Sequence, residues 1–225
     1  MYKRQKLGKR VLIFGDLKQI LPIGEEKDGL TMLQILCENR IVLTKYKRGD
    51  DELLKALTKV RERVSVPFDK GEKGSLHFCF TQKMRDTINE REIMKVKKGY
   101  FDLVANDNLK RIYVGMPLRS TVTKADGSML NGERWKIEEI DDGTVFLKSL
   151  IRADTPLDVP MDNIHKSFLP GYAMTIHSSQ GLTIKEPYTV HIEERTAFSK
   201  EEMWRMIYTA VSRSCKKDQV GVVFN

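Results

Sequence analysis

The sequence predicts an α/β fold, a parallel sheet flanked by helices and interrupted by a small β-rich module. Three observations predict it. Val11-Leu12-Ile13-Phe14 is a run of four apolar residues ending in Gly15-Asp16, the pattern of a parallel strand buried on both faces. Residues 172–183 read YAMTIHSSQGLT, an apolar, β-prone run that passes into small polar residues closed by glycine. That is a buried strand followed by a polar loop at the carboxyl edge of a sheet, where α/β proteins place ligand contacts. Between residues 112 and 168 the β-prone positions Ile112, Val114, Val122, Trp135, Ile137, Ile140, Val145 and Leu147 alternate with Asp126-Gly127, Asn131-Gly132 and Asp141-Asp142-Gly143, which are hairpin signals.

In chain order, Pro22 stops regular structure after the first strand, and 31–38 reads as a short helix. Ile41-Val42-Leu43 is a short strand. Asp50 or Asp51 caps the next helix, whose apolar positions are Leu53, Leu54, Leu57 and Val60, and Arg61 and Arg63 complement its dipole. Leu76-His77-Phe78-Cys79-Phe80 is a strand, and Thr81 caps a helix running through Lys95. That helix carries Lys83, Arg85, Arg91 and Lys95, a solvated face or the border of a polyanion channel. After the β-rich module and the 172–183 stretch, Tyr188-Thr189-Val190-His191-Ile192 is a strand. Ser199-Lys200-Glu201-Glu202 is a capping box opening a helix with Met203, Met206, Ile207, Ala210 and Val211 on its apolar face. Arg213 falls at the border of that stripe, where a side chain can leave the core for a cleft. Val220-Gly221-Val222-Val223-Phe224 closes the sheet.

Composition bounds the function. The 225 residues, 40% apolar, hold one large or two small domains with an ample core. A formal charge of +8 and a pI near 9.3 favour a polyanionic partner, nucleic acid first. Cys37, Cys79 and Cys215 are odd in number, far apart and without metal spacing, so they read as buried thiols in a reducing compartment. No apolar run reaches the roughly 18 residues of a membrane span, and the basic first residues lack the apolar core of a signal peptide. An intracellular protein without membrane partners is expected.

Three segments, in this order, carry a resemblance. Gly15-Asp16-Leu17-Lys18-Gln19-Ile20-Leu21-Pro22, the 172–183 stretch, and Ile207-Tyr208-Thr209-Ala210-Val211-Ser212-Arg213 resemble motifs III, V and VI of superfamily 1 DNA helicases of the RecD and PIF type. Those motifs typically read GDxxQLPP, YAxTIHKSQGxT and YVALSR. The resemblance implies a RecA-like, P-loop-NTPase-type sheet domain with an inserted small SH3-like β-barrel. The expected boundaries are 1–43 for the end of a first RecA-like domain, 44–110 and 168–225 for the two segments of a second, and 111–167 for the barrel.

It also implies roles. Gln19 carries the ATP state to the DNA side, with Gly15 and Asp16 beside it, while Gln180 and Gly181 couple the nucleotide cleft to the strand path. Arg48, with Lys47 as a competitor for the register, reaches the γ-phosphate, and Arg213 is an arginine finger. Thr81, Thr175, His177 and Ser178 face the DNA backbone. Two positions depart from the pattern: Gln82 stands where the family has asparagine, and Ser178 where it has lysine, so one phosphate contact loses its charge.

No GxxxxGK followed by Ser or Thr occurs, and no acidic strand precedes Val11. The chain therefore reads as the carboxyl-terminal portion of a helicase, whose amino-terminal RecA-like half would hold most of the ATP and Mg2+. Three functions remain open: the arginine-finger half of an ATP-dependent DNA helicase running 5′ to 3′ on single-stranded DNA, inactive as an ATPase alone; a non-catalytic nucleic-acid-binding fragment; and a related RNA helicase.

Overall fold

The structure, a computed structural model, describes residues 16, 18–19, 47–103, 109–152, 155–193 and 198–225. The strands expected over 11–14 and 41–43, the helix over 31–38, and Gly15 and Cys37 lie outside the described residues. In chain order the elements are α1 (Asp51–Arg61), β1 (Asp69–Lys70), β2 (Leu76–Cys79), α2 (Gln82–Met94), β3 (Tyr100–Asp102), β4 (Arg111–Tyr113), β5 (Pro117–Ser120), β6 (Arg134–Asp141), β7 (Thr144–Ser149), β8 (Pro156–Pro160), α3 (Ile164–Ser167), β9 (Phe168–Pro170), β10 (Ala173–Thr175), α4 (Ile176–Ser179), β11 (Tyr188–Ile192), α5 (Lys200–Val211) and β12 (Val220–Phe224).

Five strands form a parallel sheet in the order β1-β12-β11-β2-β10. Its strands are short, and the central β2 and β11 are buried throughout. α1 and α5 cover one face, packing Leu53, Leu57, Val60, Met206, Ile207 and Ala210 onto Leu76, Phe78, Tyr188 and Val190. α2 covers the other through Ile88 against Cys79 and Ala173. Asp50 caps α1, its carboxylate accepting from Leu53 N at 2.8 Å. Leu54, expected inside, is exposed, and Ala56 takes its place, because Leu53, Ala56, Leu57 and Val60 are the set at helical spacing on one face. β12 does not close the sheet as expected: the two-residue β1 lies outside it.

Between α2 and β10 the chain builds a second, antiparallel sheet in the order β8-β7-β6-β5-β9, with the β3–β4 pair beside it. It has its own core, centred on Trp135, Phe168, Leu118, Ile137 and Leu147. Asp142-Gly143 is a two-residue hairpin turn between β6 and β7, both residues with positive φ, 39° and 71°, as a type I′ turn requires. The other two hairpin signals differ: Asp126-Gly127 and Asn131-Gly132 are turns inside one long connection from β5 to β6. Arg152 holds that connection, bonding Gly127 O and Ser128 O at 2.8 Å and Glu133 Oε2 at 2.7 Å. Val114 and Val122 are exposed connection residues rather than strand positions. β9 extends the antiparallel sheet to Pro170, and Gly171 then turns the chain back, packed so closely that a Cβ would lie 2.9 Å from the Leu118 backbone.

Candidate functional site

β2 and β10 are paired neighbours, with Thr175 opposite Cys79, so the segments leaving them emerge side by side at the carboxyl edge of the sheet. This brings Thr81 and the 175–181 loop together. Thr81 caps α2, its hydroxyl accepting from Met84 N at 3.2 Å. Thr175 caps one helical turn, α4, where a loop was expected; its hydroxyl pairs with Ser178 Oγ at 2.9 Å. His177 and Ser178 are half-buried, and burial lowers the His177 pKa below the usual imidazole range. Gln180 and Gly181 are exposed, and Gly181 has φ +89°, a conformation that favours glycine.

Sequence reasoning missed Glu193. β11 flanks β2 on its other side, with His191 opposite Cys79, so Glu193, two residues past the one, reaches Thr81, two past the other. Its Oε1 accepts from Phe80 N (3.1 Å) and Thr81 N (3.0 Å), and its Oε2 from the Thr81 hydroxyl (2.8 Å). A carboxylate thus sits among donors suited to a phosphate. The strand register is the signal that could have found it.

The second group gathers on α5. The capping box forms as read: Ser199 N donates to Glu202 Oε2 at 2.7 Å and Glu202 N to Ser199 Oγ at 3.2 Å. On the outer side, Tyr208 OH donates to Asp16 Oδ2 at 2.9 Å and Arg205 Nη1 to Gln19 O at 3.2 Å. Asp16 also builds its own turn, accepting from Lys18 N at 3.0 Å. At the carboxyl end of the helix, exposed Arg48 donates to Ser212 O at 2.8 Å. Gly49 permits this approach: a Cβ there would lie 2.5 Å from Cys215 O.

Arg213 is placed differently from the expectation that it leaves the core. It is 2% exposed, its Nε donating to Thr209 O and its Nη2 to Ser212 Oγ, each at 2.9 Å. The reason is spacing: Met206, Ala210 and Arg213 stand at i, i+4 and i+7, so the arginine follows the buried stripe. The 180–184 loop joins it there, Ile184 N donating to Arg213 O at 2.8 Å. Of the thiols, Cys79 is buried, with its pKa pushed up to about 12 by burial, but Cys215 is half-buried rather than buried. No described helix is long and apolar enough to cross a membrane.

No family model matches the chain, and no curated relative does. Solved structures do. The Pif1 helicase from Bacteroides in complex with ADP-AlF3 and ssDNA superposes with a TM-score of 0.62 at 17% identity, covering 93% of this chain and 61% of that one. Bacteroides Pif1 bound to ssDNA gives 0.61 at 18% with the same coverage, and Pif1 from Candida albicans 0.62 at 16%, covering 93% and 63%. The fold is that of the carboxyl-terminal portion of a Pif1-type helicase. The chain spans about three fifths of the length of these Pif1 helicases.

Two cations, the exposed Arg48 and the buried Arg213, gather at the end of α5. The one described group of His and carboxylate side chains spaced to hold a metal ion is Glu72, His77 and His191, on the sheet face opposite α5.

Proposed function

We propose that the chain is the carboxyl-terminal part of an ATP-dependent DNA helicase that moves 5′ to 3′ along single-stranded DNA and unwinds duplex. One observation carries this reading: the Asp16–Gln19 turn docks on α5, the helix whose far end gathers Arg48 and Arg213. A coupling segment and two candidate γ-phosphate cations on one rigid element is what transmitting a nucleotide state requires. In the complete enzyme, ATP supplies the phosphoryl group and Mg2+ neutralises its charge. Gln19, Gln180 and Gly181 pass the state of the cleft to the sheet edge, where Thr81, Thr175, His177 and Ser178 hold the DNA backbone. β5 to β9 form the SH3-like barrel, and the protein works inside the cell.

The first test is hydrolysis by the purified 225-residue chain. Nucleotide affinity in P-loop enzymes comes mainly from the phosphate loop and Mg2+ site, so no DNA-stimulated ATP turnover is expected until a polypeptide carrying that loop is added. Turnover by the chain alone sinks the half-site reading.

The second test is binding of a labelled oligonucleotide at two salt concentrations. Weak binding that falls with salt is expected, and Ser178→Lys is expected to tighten it and steepen the log–log salt slope by about 0.7, one added phosphate contact on a single strand. Salt-insensitive binding counts against the site.

A non-catalytic nucleic-acid-binding fragment is the second reading, favoured by the buried guanidinium of Arg213, and the Glu193 carboxylate among the Thr81 donors would weaken its grip on phosphate. Glu193→Gln separates the site from its bulk charge. Removing that carboxylate is expected to tighten oligonucleotide binding severalfold, whereas unchanged affinity would place the DNA path away from Thr81.

A further inference from the structure

The sheet face beneath α2 carries two histidines that the proposed function does not use. His77 in β2 and His191 in β11 are 1% and 2% exposed. Thr189 stands opposite His77, so His191, two residues on, projects from the same face of the neighbouring strand. Their rings converge edge to edge rather than stack, with His77 Nδ1 and His191 Nε2 3.1 Å apart. The 71–75 loop carries Glu72 over them. Thr189 clamps that loop, accepting from Lys73 N at 2.7 Å and donating to Lys73 O at 2.9 Å, while Gly221 leaves the room it needs: a Cβ there would lie 2.4 Å from Gly71 O. Burial lowers the pKa of both imidazoles, that of His191 to about 4, and a metal ligand must be the neutral ring.

We propose that Glu72, His77 and His191 bind a divalent transition metal of the zinc class. One ligand atom from each already lies within 4.8 Å of the other two. Zinc–nitrogen bonds of about 2.0–2.1 Å in tetrahedral geometry separate two ligating nitrogens by about 3.3 Å, close to the spacing present. Exposed Glu72 closes on the ion by rotating away from Arg91 Nη1, now at 2.7 Å, and water takes the fourth position. The Asn225 amide stands 3.2 Å from His191 Nδ1; turned to present its oxygen, it accepts that N–H and fixes the tautomer leaving Nε2 for the metal. Glu72, Glu92 and Glu193 face the pair with favourable charge, and Arg91 and Lys95 oppose it. Cys79, although on the same sheet face, is not among the side chains whose ligand atoms converge within 4.8 Å. The ion would pin the 71–75 loop to the two central strands.

The test titrates zinc into the chelator-treated 225-residue chain by calorimetry and records the absorption of the cobalt-substituted protein. One equivalent of zinc is expected, with a tetrahedral cobalt spectrum free of a thiolate band. His191→Gln should weaken binding by on the order of a hundredfold. Glu72→Gln alters an exposed side chain outside the cores, so it should weaken binding about tenfold without changing the melting temperature in chelator, and it decides the matter if His191→Gln does not fold. Absence of stoichiometric zinc, a thiolate band, or unchanged affinity in Glu72→Gln overturns the site and leaves an ordinary hydrogen bond between two neutral rings.

Discussion

Arg213→Lys in the complete enzyme is expected to cut ATP turnover by on the order of a thousandfold or more, the cost of losing an arginine finger. Lysine keeps the charge but loses the planar fork that matches phosphate oxygens. The geometry adds a second expectation. The Nε and Nη2 bonds to Thr209 O and Ser212 Oγ close the end of α5, and hydrogen bonds from a charged donor are worth about 1.5–3 kcal/mol each. Lysine cannot reproduce both, so the melting temperature falls as well. To serve the nucleotide, the guanidinium must exchange this capping arrangement for phosphate, and the adjoining 180–184 loop, bonded to the Arg213 carbonyl, would move with it. Turnover is therefore compared well below the melting temperature of both proteins, where the folded fraction is the same. A finger gives the full loss under those conditions. Wild-type turnover per folded molecule in the lysine variant would leave Arg213 a helix cap and strengthen the non-catalytic reading.

What the sequence made legible was local. Asp50, Thr81 and Ser199 announce their helices because a cap needs only the donors two or three residues ahead, and Asp142-Gly143 announces its turn because both residues must adopt positive φ. The helicase resemblance groups Thr81 with the 175–178 loop, and the β2–β10 pairing sets the strands that carry them side by side. The features that escaped depend on which strands are neighbours. Glu193 reaches Thr81 across 112 residues, and His191 meets His77 across 114, only because β11 and β2 pair in one register. Residue count alone put Arg213 near the edge of its stripe; the tight turn that ends the helix after Val211, with Arg213 N bonding Ala210 O, put it inside. β1, two exposed residues, carries no apolar signal at all.

The two cores are expected to unfold separately, and each has its own reporter. Trp135 lies in the antiparallel core and Trp204 packs against the parallel one, and they are the only two tryptophans in the sequence. Phe168 is fully buried edge-on to Trp135, at 6.3 Å between ring centroids, while Phe78 is fully buried 4.8 Å from Tyr188. Truncating a buried Phe to Ala costs about 3–5 kcal/mol through lost burial and the cavity left behind. Among the described residues, none belongs to both cores. Helix α2 touches both, Ile88 packing on the parallel sheet and Ile93 in the antiparallel core, and polar contacts such as the Arg134–Glu186 ion pair add little, its exposed carboxylate limiting its worth to about 1 kcal/mol or less. Coupling of that size is small beside either truncation. In urea titrations followed by fluorescence in single-tryptophan backgrounds, Phe168→Ala should lower the Trp135 transition and leave that of Trp204 in place, and Phe78→Ala should do the reverse. Coincident shifts of both transitions in either variant would instead make the parallel sheet and its antiparallel insertion one cooperative unit, with the β9–β10 connection carrying far more free energy than its contacts suggest.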